Sequence, residues 1–176
     1  NDDLEVVFRT APPRFEVLDK RTEYRWRQDP PADETLALRV EPSASRLEIE
    51  LFSGTLARRL RLVAELETGK PELLLTLFSA GPLETAWAFP GPFRTEPGMR
   101  IVLPLNEGIA YPVDDPSVEG RWLEGYGGHG LCMSWWGVLR GEGGHMAIIE
   151  TPDDMQIFTP RRDGSLCVSP LWGGQK

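Results

Sequence analysis

Apolar and polar residues alternate along much of the first half of the chain. In residues 46–51 every second side chain is apolar, at Leu47, Ile49 and Leu51, and the residues between them are charged. This period of two places the two sets on opposite faces of a half-buried β-strand. The same alternation predicts strands at three further places: Leu36, Leu38 and Val40; Phe15 and Val17; Tyr24 and Trp26.

A hairpin is predicted at residues 15–26. The polar stretch 20–23 is the expected turn between Phe15–Val17 and Tyr24–Trp26.

A second hairpin is predicted at residues 55–79, where the first strand is ambiguous. Residues 55–68 are rich in Leu, Ala, Arg and Glu and end at Gly69, which is typical of a helix. However, their apolar positions alternate from residue 60 to residue 66, and residues 72–79 form a suitable partner strand across a Thr-Gly-Lys-Pro turn. We therefore expect a strand here, and a helix is the alternative.

Glycine and proline interrupt the second half every few residues, and no helix fits between them. Short apolar runs remain at residues 100–105, 109–111, 131–140, 146–150, 155–159 and 166–168. Many short strands with frequent turns are typical of antiparallel β-sandwiches. The sequence therefore predicts an all-β, antiparallel two-sheet sandwich that forms one domain over residues 1–176.

Composition excludes several classes of protein. The chain has 176 residues, 40% of them hydrophobic, and a net charge of −8. The apolar fraction is too high for a disordered chain, and no apolar run reaches the ~20 residues of a membrane-spanning helix. No block of Lys and Arg is present, whereas nucleic acids and anionic membranes require a basic footprint. We expect no nucleic-acid partner and no membrane span, and a partner that is neutral or small.

Common motifs for nucleotides, metals and nucleophiles are weak. Residues 125–130 match G-x-G-x-x-G, but a bulky strand-like segment follows instead of the helix that a dinucleotide site needs. Ser134 lacks the G-x-S-x-G context of a nucleophile. Histidine and cysteine can bind zinc, but the chain has no Cys-x-x-Cys pair, and these four residues lack zinc-site spacing: His129, Cys132, His145 and Cys167. We predict no metal and no cofactor.

Carboxylates gather in the loop-rich half. Glu107, Asp114 and Asp115 are candidates, because glycoside cleavage uses two carboxylates, one as acid and one as base or nucleophile. Such residues also solvate loops, cap turns or bind calcium. No catalytic residue is assigned from the sequence.

Aromatic residues in the second half are the best local indication of a ligand. The flat faces of tryptophan and tyrosine stack on sugars as readily as they pack in cores. On a strand at 131–139, Trp135 and Trp136 lie on opposite faces, and we expect Trp135 in the core. The candidates for contact with a carbohydrate are Trp122, Tyr126, His129 and Trp136, with core packing as the alternative for the aromatic ones.

Three segments resemble one domain of known enzymes. Phe15–Arg27, FEVLDKRTEYRWR, resembles the "V-x-D-K-x-T-G-x-x-W" first hairpin of the N-terminal β-supersandwich domain of glycoside hydrolases related to endo-α-N-acetylgalactosaminidases. Glu23 stands where glycine is usual in that motif. Pro90–Pro116 resembles the proline-rich stretch of the same domain, followed by "P-x-x-E-G-x-x-x-P", and Met133–Asp154 gives a third match. The three segments occur in the expected order.

The resemblance implies a galactose mutarotase-like fold that precedes a (β/α)-barrel carrying the catalytic carboxylates. This chain would then be the non-catalytic N-terminal part of a longer glycoside hydrolase. Its partners would be a neutral or amino-sugar glycan and the C-terminal catalytic domain of the same polypeptide, and we expect a secreted or periplasmic location. The alternatives are a free-standing carbohydrate-binding module and a mutarotase-like enzyme in which His129 or His145 moves a proton.

Overall fold

The chain forms β-strands throughout its described parts. A computed structural model describes residues 1–28, 34–83, 87–88, 96, 98–102, 110–112, 135–140, 145–150, 156–160 and 166–172, and these contain no helix. The chain divides into two compact units, Asn1–Gly91 with Gly173–Lys176, and Pro92–Trp172.

The first unit contains two antiparallel sheets. Three strands form the first sheet in chain order: β1 (Leu4–Thr10), β2 (Pro13–Asp19) and β3 (Tyr24–Arg27). Four strands form the second, also in chain order: β4 (Thr35–Pro42), β5 (Arg46–Ser53), β6 (Arg58–Leu66) and β7 (Leu73–Phe78). A short strand, β8, follows at Trp87–Ala88. The all-β, antiparallel two-sheet prediction is confirmed, and the architecture is compatible with a sandwich.

The ambiguous segment at residues 55–68 contains a strand, as predicted. β6 pairs with β5 on one side and β7 on the other, and Leu60 and Leu62 lie opposite Leu51 and Ile49. These four side chains are almost completely buried. Each such burial stabilises the fold by about 1.5–3 kcal/mol, which exceeds the few tenths of a kcal/mol by which helix propensities differ. Packing therefore decides the conformation against local composition.

The predicted face of β4 is wrong. Val40 lies opposite the buried Ile49, but Leu36 and Leu38 are 57% and 45% exposed. The register shifts between Ala37 and Arg39, so that Leu38 occupies a β-bulge and the alternation restarts after it. Because a one-residue shift reverses the two faces, Leu36 and Val40 cannot share the core.

Asn1 connects the two sheets of the first unit. Its side-chain Oδ1 accepts a hydrogen bond from the backbone N–H of Leu4, at the start of β1, at 2.7 Å. Its Nδ2 donates to the carbonyl oxygens of Glu67 and Lys70 at 2.6 and 2.8 Å. These carbonyls belong to the turn between β6 and β7, where Gly69 has a φ of +75°. One side chain thus joins the first strand to the predicted Thr-Gly-Lys-Pro turn.

The second unit is also built from antiparallel strands. Its described residues form the strands β9 (Met99–Val102), β10 (Ala110–Pro112), β11 (Trp135–Arg140), β12 (His145–Glu150), β13 (Gln156–Pro160) and β14 (Leu166–Trp172). The first four form a sheet in the order β10-β9-β11-β12, and β13 pairs with β14. Within the described ranges, no helix has the length and hydrophobicity needed to cross a membrane.

The central strands of the four-stranded sheet should dominate the stability of the first unit. Leu62→Ala removes a fully buried side chain and is expected to lower the free energy of unfolding by about 2–5 kcal/mol. Leu74→Ala, on neighbouring β7, removes a side chain that is 62% exposed and should change it by less than about 0.5 kcal/mol. Denaturant unfolding measures both. Similar losses for the two variants would contradict the assigned faces.

Candidate functional site

The carbohydrate-contact residues expected from the sequence fall mostly outside the described part of the structure. Trp136 lies in β11, opposite Ile149 of β12, and its side chain is outside that part. The other expected residues lie wholly outside it: Trp122, Tyr126, His129, Glu107, Asp114 and Asp115. Their roles stay predictions. The ion pairs and charged clusters of the described residues lie in the first unit, at the turn between β2 and β3 and on the outer faces of the two sheets.

The turn between β2 and β3 is built around one carboxylate. Asp19 Oδ1 accepts hydrogen bonds from the backbone N–H and the Nε of Arg21, at 3.0 and 3.1 Å, and Oδ2 accepts one from Arg21 Nη2 at 3.1 Å. Asp19 is 9% exposed. The hydrogen bonds from Arg21 lower the pKa of the Asp19 carboxyl, although burial opposes this shift. The charged carboxylate therefore holds the turn.

Glu23 of the same turn has an unusual backbone conformation. Its φ is +54°, in the left-handed region that residues with a Cβ rarely adopt. Glycine adopts this region without steric cost. Glu23 is the position at which glycine is usual in the resembling hairpin motif.

The outer face of the three-stranded sheet carries an excess of arginine. We call this surface the arginine face; its charged residues are Glu5, Arg9, Arg14, Glu16, Arg25 and Arg27. Glu16 lies at its centre, with a side chain only 12% exposed. Its Oε1 accepts a hydrogen bond from Arg9 Nε at 3.3 Å, and nitrogens of Arg14 and Arg25 lie 3.9 and 3.8 Å from its oxygens.

The arginines keep Glu16 ionised. The hydrogen bond from Arg9 lowers the pKa of the Glu16 carboxyl, and the positive charges of Arg9, Arg14 and Arg25 lower it further, against the effect of burial. The carboxylate of Glu16 is therefore shared among three guanidinium groups. It cannot neutralise all of them.

The outer face of the four-stranded sheet has a balanced charge. We call this surface the paired face; its charged residues are Arg39, Glu41, Arg46, Glu48, Glu50, Arg59, Arg61 and Glu65. Arg46 bridges Glu48 and Glu65 at 2.6 and 3.2 Å, and Arg59 Nη1 lies 3.0 Å from Glu50 Oε1. Arg39 pairs with Glu41, and Arg61 with Glu48. Each arginine of this face thus has a carboxylate partner.

A shallow groove crosses the paired face. Its volume is about 330 Å³, and its walls include charged side chains of β4, β5 and β6 and the end of β7. The Arg61 guanidinium lies 4.0 Å from the ring centroid of Phe78, a cation–π contact. The Ser79 hydroxyl in the groove wall is buried and finds no hydrogen-bond partner among the described residues. The charged side chains of the groove walls are already engaged in the ion pairs of the paired face.

No described group of three or more histidine, cysteine or acidic side chains could hold a metal ion. His145 begins β12, but its side chain lies outside the described residues. Cys132 also lies outside them. The prediction that the chain carries no metal site is thus untested for these residues.

Sequence reasoning missed the arginine face. Its arginines are separated along the chain and form no basic block, so the overall acidic composition hides them. The indication was present in the same period of two that predicted the strands, because charged residues at alternate positions must also share one face. The register of β1 with β2 and of β2 with β3 is needed to show that the arginines of the three strands lie next to one another.

No model of a known protein family matches this chain, and no curated protein shows significant similarity to it.

The Asp19–Arg21 interaction should make stability depend on pH. Because folding lowers the pKa of Asp19, the carboxylate stabilises the folded state above the unfolded-state pKa, and this stabilisation is lost as the pH falls through the folded-state pKa. Asp19→Asn should cost about 1 kcal/mol at pH 7, a value reduced for the solvent exposure of Arg21, and progressively less below about pH 4. Urea unfolding at several pH values measures this. Arg21→Gln should show the same convergence; a cost independent of pH would contradict the assignment.

Glycine at position 23 should stabilise the turn. Glu23→Gly removes the strain of a positive φ but adds flexibility to the unfolded chain, so we expect the free energy of unfolding to rise by up to about 1 kcal/mol. Glu72→Gly is the matched control, because this exposed glutamate does not have a positive φ and can only lose from the change. Thermal unfolding compares them. Destabilisation by both substitutions would contradict the strain that we assign to the positive φ of Glu23.

Proposed function

We propose that this chain is a non-catalytic β-sandwich domain of a carbohydrate-active glycoside hydrolase that supports a catalytic barrel. In this role the paired carboxylates that cleave the glycosidic bond come from the barrel. The antiparallel two-sheet architecture of the first unit supports the proposal, since such a domain is built from packed sheets. We further propose a secreted or periplasmic location for the enzyme.

The observation that carries the proposal is the geometry of the hairpin that resembles the family motif. Residues 15–27 form the hairpin β2–β3, in which Trp26 is 7% exposed and Asp19 organises the turn. Glu23, at the usual position of glycine, has the positive φ that glycine favours. Each of these motif positions thus has a structural role: Trp26 buries an aromatic ring, Asp19 holds the turn, and position 23 has a positive φ.

The way in which these residues are used supports the proposed role of a scaffold. The described motif residues pack and turn the chain, and neither Asp19 nor Trp26 is exposed to a substrate. A domain of this kind contributes surface and rigidity to an enzyme. The chemistry belongs to side chains held elsewhere, because a fold by itself does not define an activity.

A purified chain of 176 residues should not hydrolyse glycosides on its own. We expect no turnover of a panel of aryl glycosides, with the catalytic barrel supplying activity when both are present in one polypeptide. The measurement is chromophore release at high protein concentration. Turnover by the wild-type chain that disappears in Glu107→Gln or Asp115→Asn, with the fold intact, would contradict the supporting role.

Binding of neutral glycans separates this proposal from a free-standing carbohydrate-binding module. Tryptophan fluorescence during titration with neutral oligosaccharides reports stacking on an indole ring. Because the supporting role assigns the glycan to the whole enzyme with its catalytic barrel, it predicts no saturable response of the separate 176-residue chain at millimolar concentrations. A response that is lost in Trp136→Ala, but kept in the control Trp26→Phe, would favour the binding module, because Trp26 is a buried residue of the first unit.

A further inference from the structure

We propose that the arginine face binds an anionic polysaccharide, a carbohydrate chain that carries carboxylate or sulfate groups. The guanidinium groups of Arg9, Arg14, Arg25 and Arg27 would hold these groups. The choice of a carbohydrate rests on the proposed function, which it deepens by naming a class of ligand. The location on the outer face of β1–β3 rests on the structure alone.

The strand register concentrates the arginines. Arg9 and Arg14 lie directly opposite each other in the β1–β2 pair, and Arg27 lies opposite Glu16 in the β2–β3 pair. Neighbouring strands are about 4.8 Å apart, and alternate residues of one strand are about 6.8 Å apart. Arg25 and Arg27 alternate along β3. Four guanidinium groups therefore share a small area of one sheet face.

This concentration of charge is unfavourable without counter-charge. Two like charges that lie directly opposite each other in a strand pair destabilise that pair. Arg9 and Arg14 lie opposite each other in this way. Among the described residues, Glu16 pairs with three arginines, and Glu5 pairs with Arg25 alone, at 3.6 Å. Arg27 has no ion pair with any residue that the structure describes. Four arginines against two glutamates leave two positive charges in excess, in a chain whose net charge is −8.

The paired face shows that this excess is not a general property of the fold. It lies on the other sheet of the same unit and uses the same residue types, but its arginines and glutamates are equal in number and matched in ion pairs. An alternating strand pattern therefore permits neutral pairing. The arginine face departs from that pairing, which points to an anion that comes from outside the described residues.

The exposure and chemistry of the arginine face suit an extended polyanion. The side chain of Arg9 is 53% exposed, and those of Arg14 and Arg25 are about one-third exposed. Guanidinium groups donate paired hydrogen bonds that match carboxylate and sulfate oxygens. The apolar residues of this face are Val7 and Leu18, both partly buried, and it carries no aromatic side chain. A folded protein partner would need an aromatic or apolar centre, which an anionic polysaccharide does not.

The direct test is binding of two polyanions, heparin with its sulfates and polygalacturonate with its carboxylates. Binding to the full 176-residue chain is measured by calorimetry at low salt, with neutral dextran as the negative control. Arg9→Gln with Arg14→Gln should weaken binding of at least one of them by about tenfold or more. The matched control, Arg46→Gln with Arg59→Gln on the paired face, should change binding by less than about twofold. Circular dichroism establishes that each variant is folded.

Removing Glu16 gives a prediction of opposite sign. Glu16→Gln removes the negative charge at the centre of the arginine face and leaves only a neutral acceptor for the Arg9 hydrogen bond. The variant should therefore bind the polyanion several-fold more tightly, although it is less stable. A merely structural role for the cluster predicts no gain. Affinity should also fall steeply with added salt, because an exposed cationic face is screened.

Several outcomes would overturn the inference. They are no binding of either polyanion, equal loss in the control variant of the paired face, or weaker binding by Glu16→Gln in a folded protein. Poly-glutamate that binds as tightly as the polysaccharides would overturn the choice of a carbohydrate. None of these results affects the supporting role, because that role is tested by glycoside turnover and neutral-glycan binding, to which the arginine face does not contribute.

Discussion

The pairing of β5 with β6 is the interaction on which the first unit depends. Ile49 and Leu51 lie opposite Leu62 and Leu60, and all four are within 2% of complete burial. Their alternation with charged residues fixes one side of the sheet as core, because a register shift of a single residue would bury the charges. The positions of β4 and β7 follow from this pair, and so does the use of a strand where local composition favours a helix.

Burial of one face of each sheet determines what the other face can be. The residues between the apolar ones are charged, and strand register decides which of them meet. On the four-stranded sheet they meet as arginine–glutamate pairs. Each pair adds little stability, but together the pairs leave this surface without net charge. On the three-stranded sheet three of the four arginines meet around the carboxylate of Glu16, and Glu5 pairs with one of them, Arg25. The same folding constraint thus gives one face on which the charges balance and one with an excess of positive charge.

The sequence was sufficient to predict the fold class, the hairpins β2–β3 and β6–β7, and the buried side of β5, because each depends on local alternation and turn residues. It was insufficient to predict that Leu36 and Leu38 are exposed, since a bulge in β4 reverses the alternation and no local residue type indicates that bulge. It was also insufficient for the arginine face, which exists only once three strands are in register. The aromatic and acidic candidates, Trp136 and Glu107 among them, stay predictions, because their side chains lie outside the described residues.

The central claim is that this β-sandwich supports a catalytic domain in the same polypeptide. The intact mass of the native protein, together with its coding sequence beyond the codon for Lys176, tests this most directly. The account predicts that the polypeptide continues for at least about 250 residues of alternating strand and helix patterns, the length of a (β/α)-barrel. A native polypeptide that ends near Lys176 would contradict it, because the catalytic domain that this chain is proposed to support would not exist.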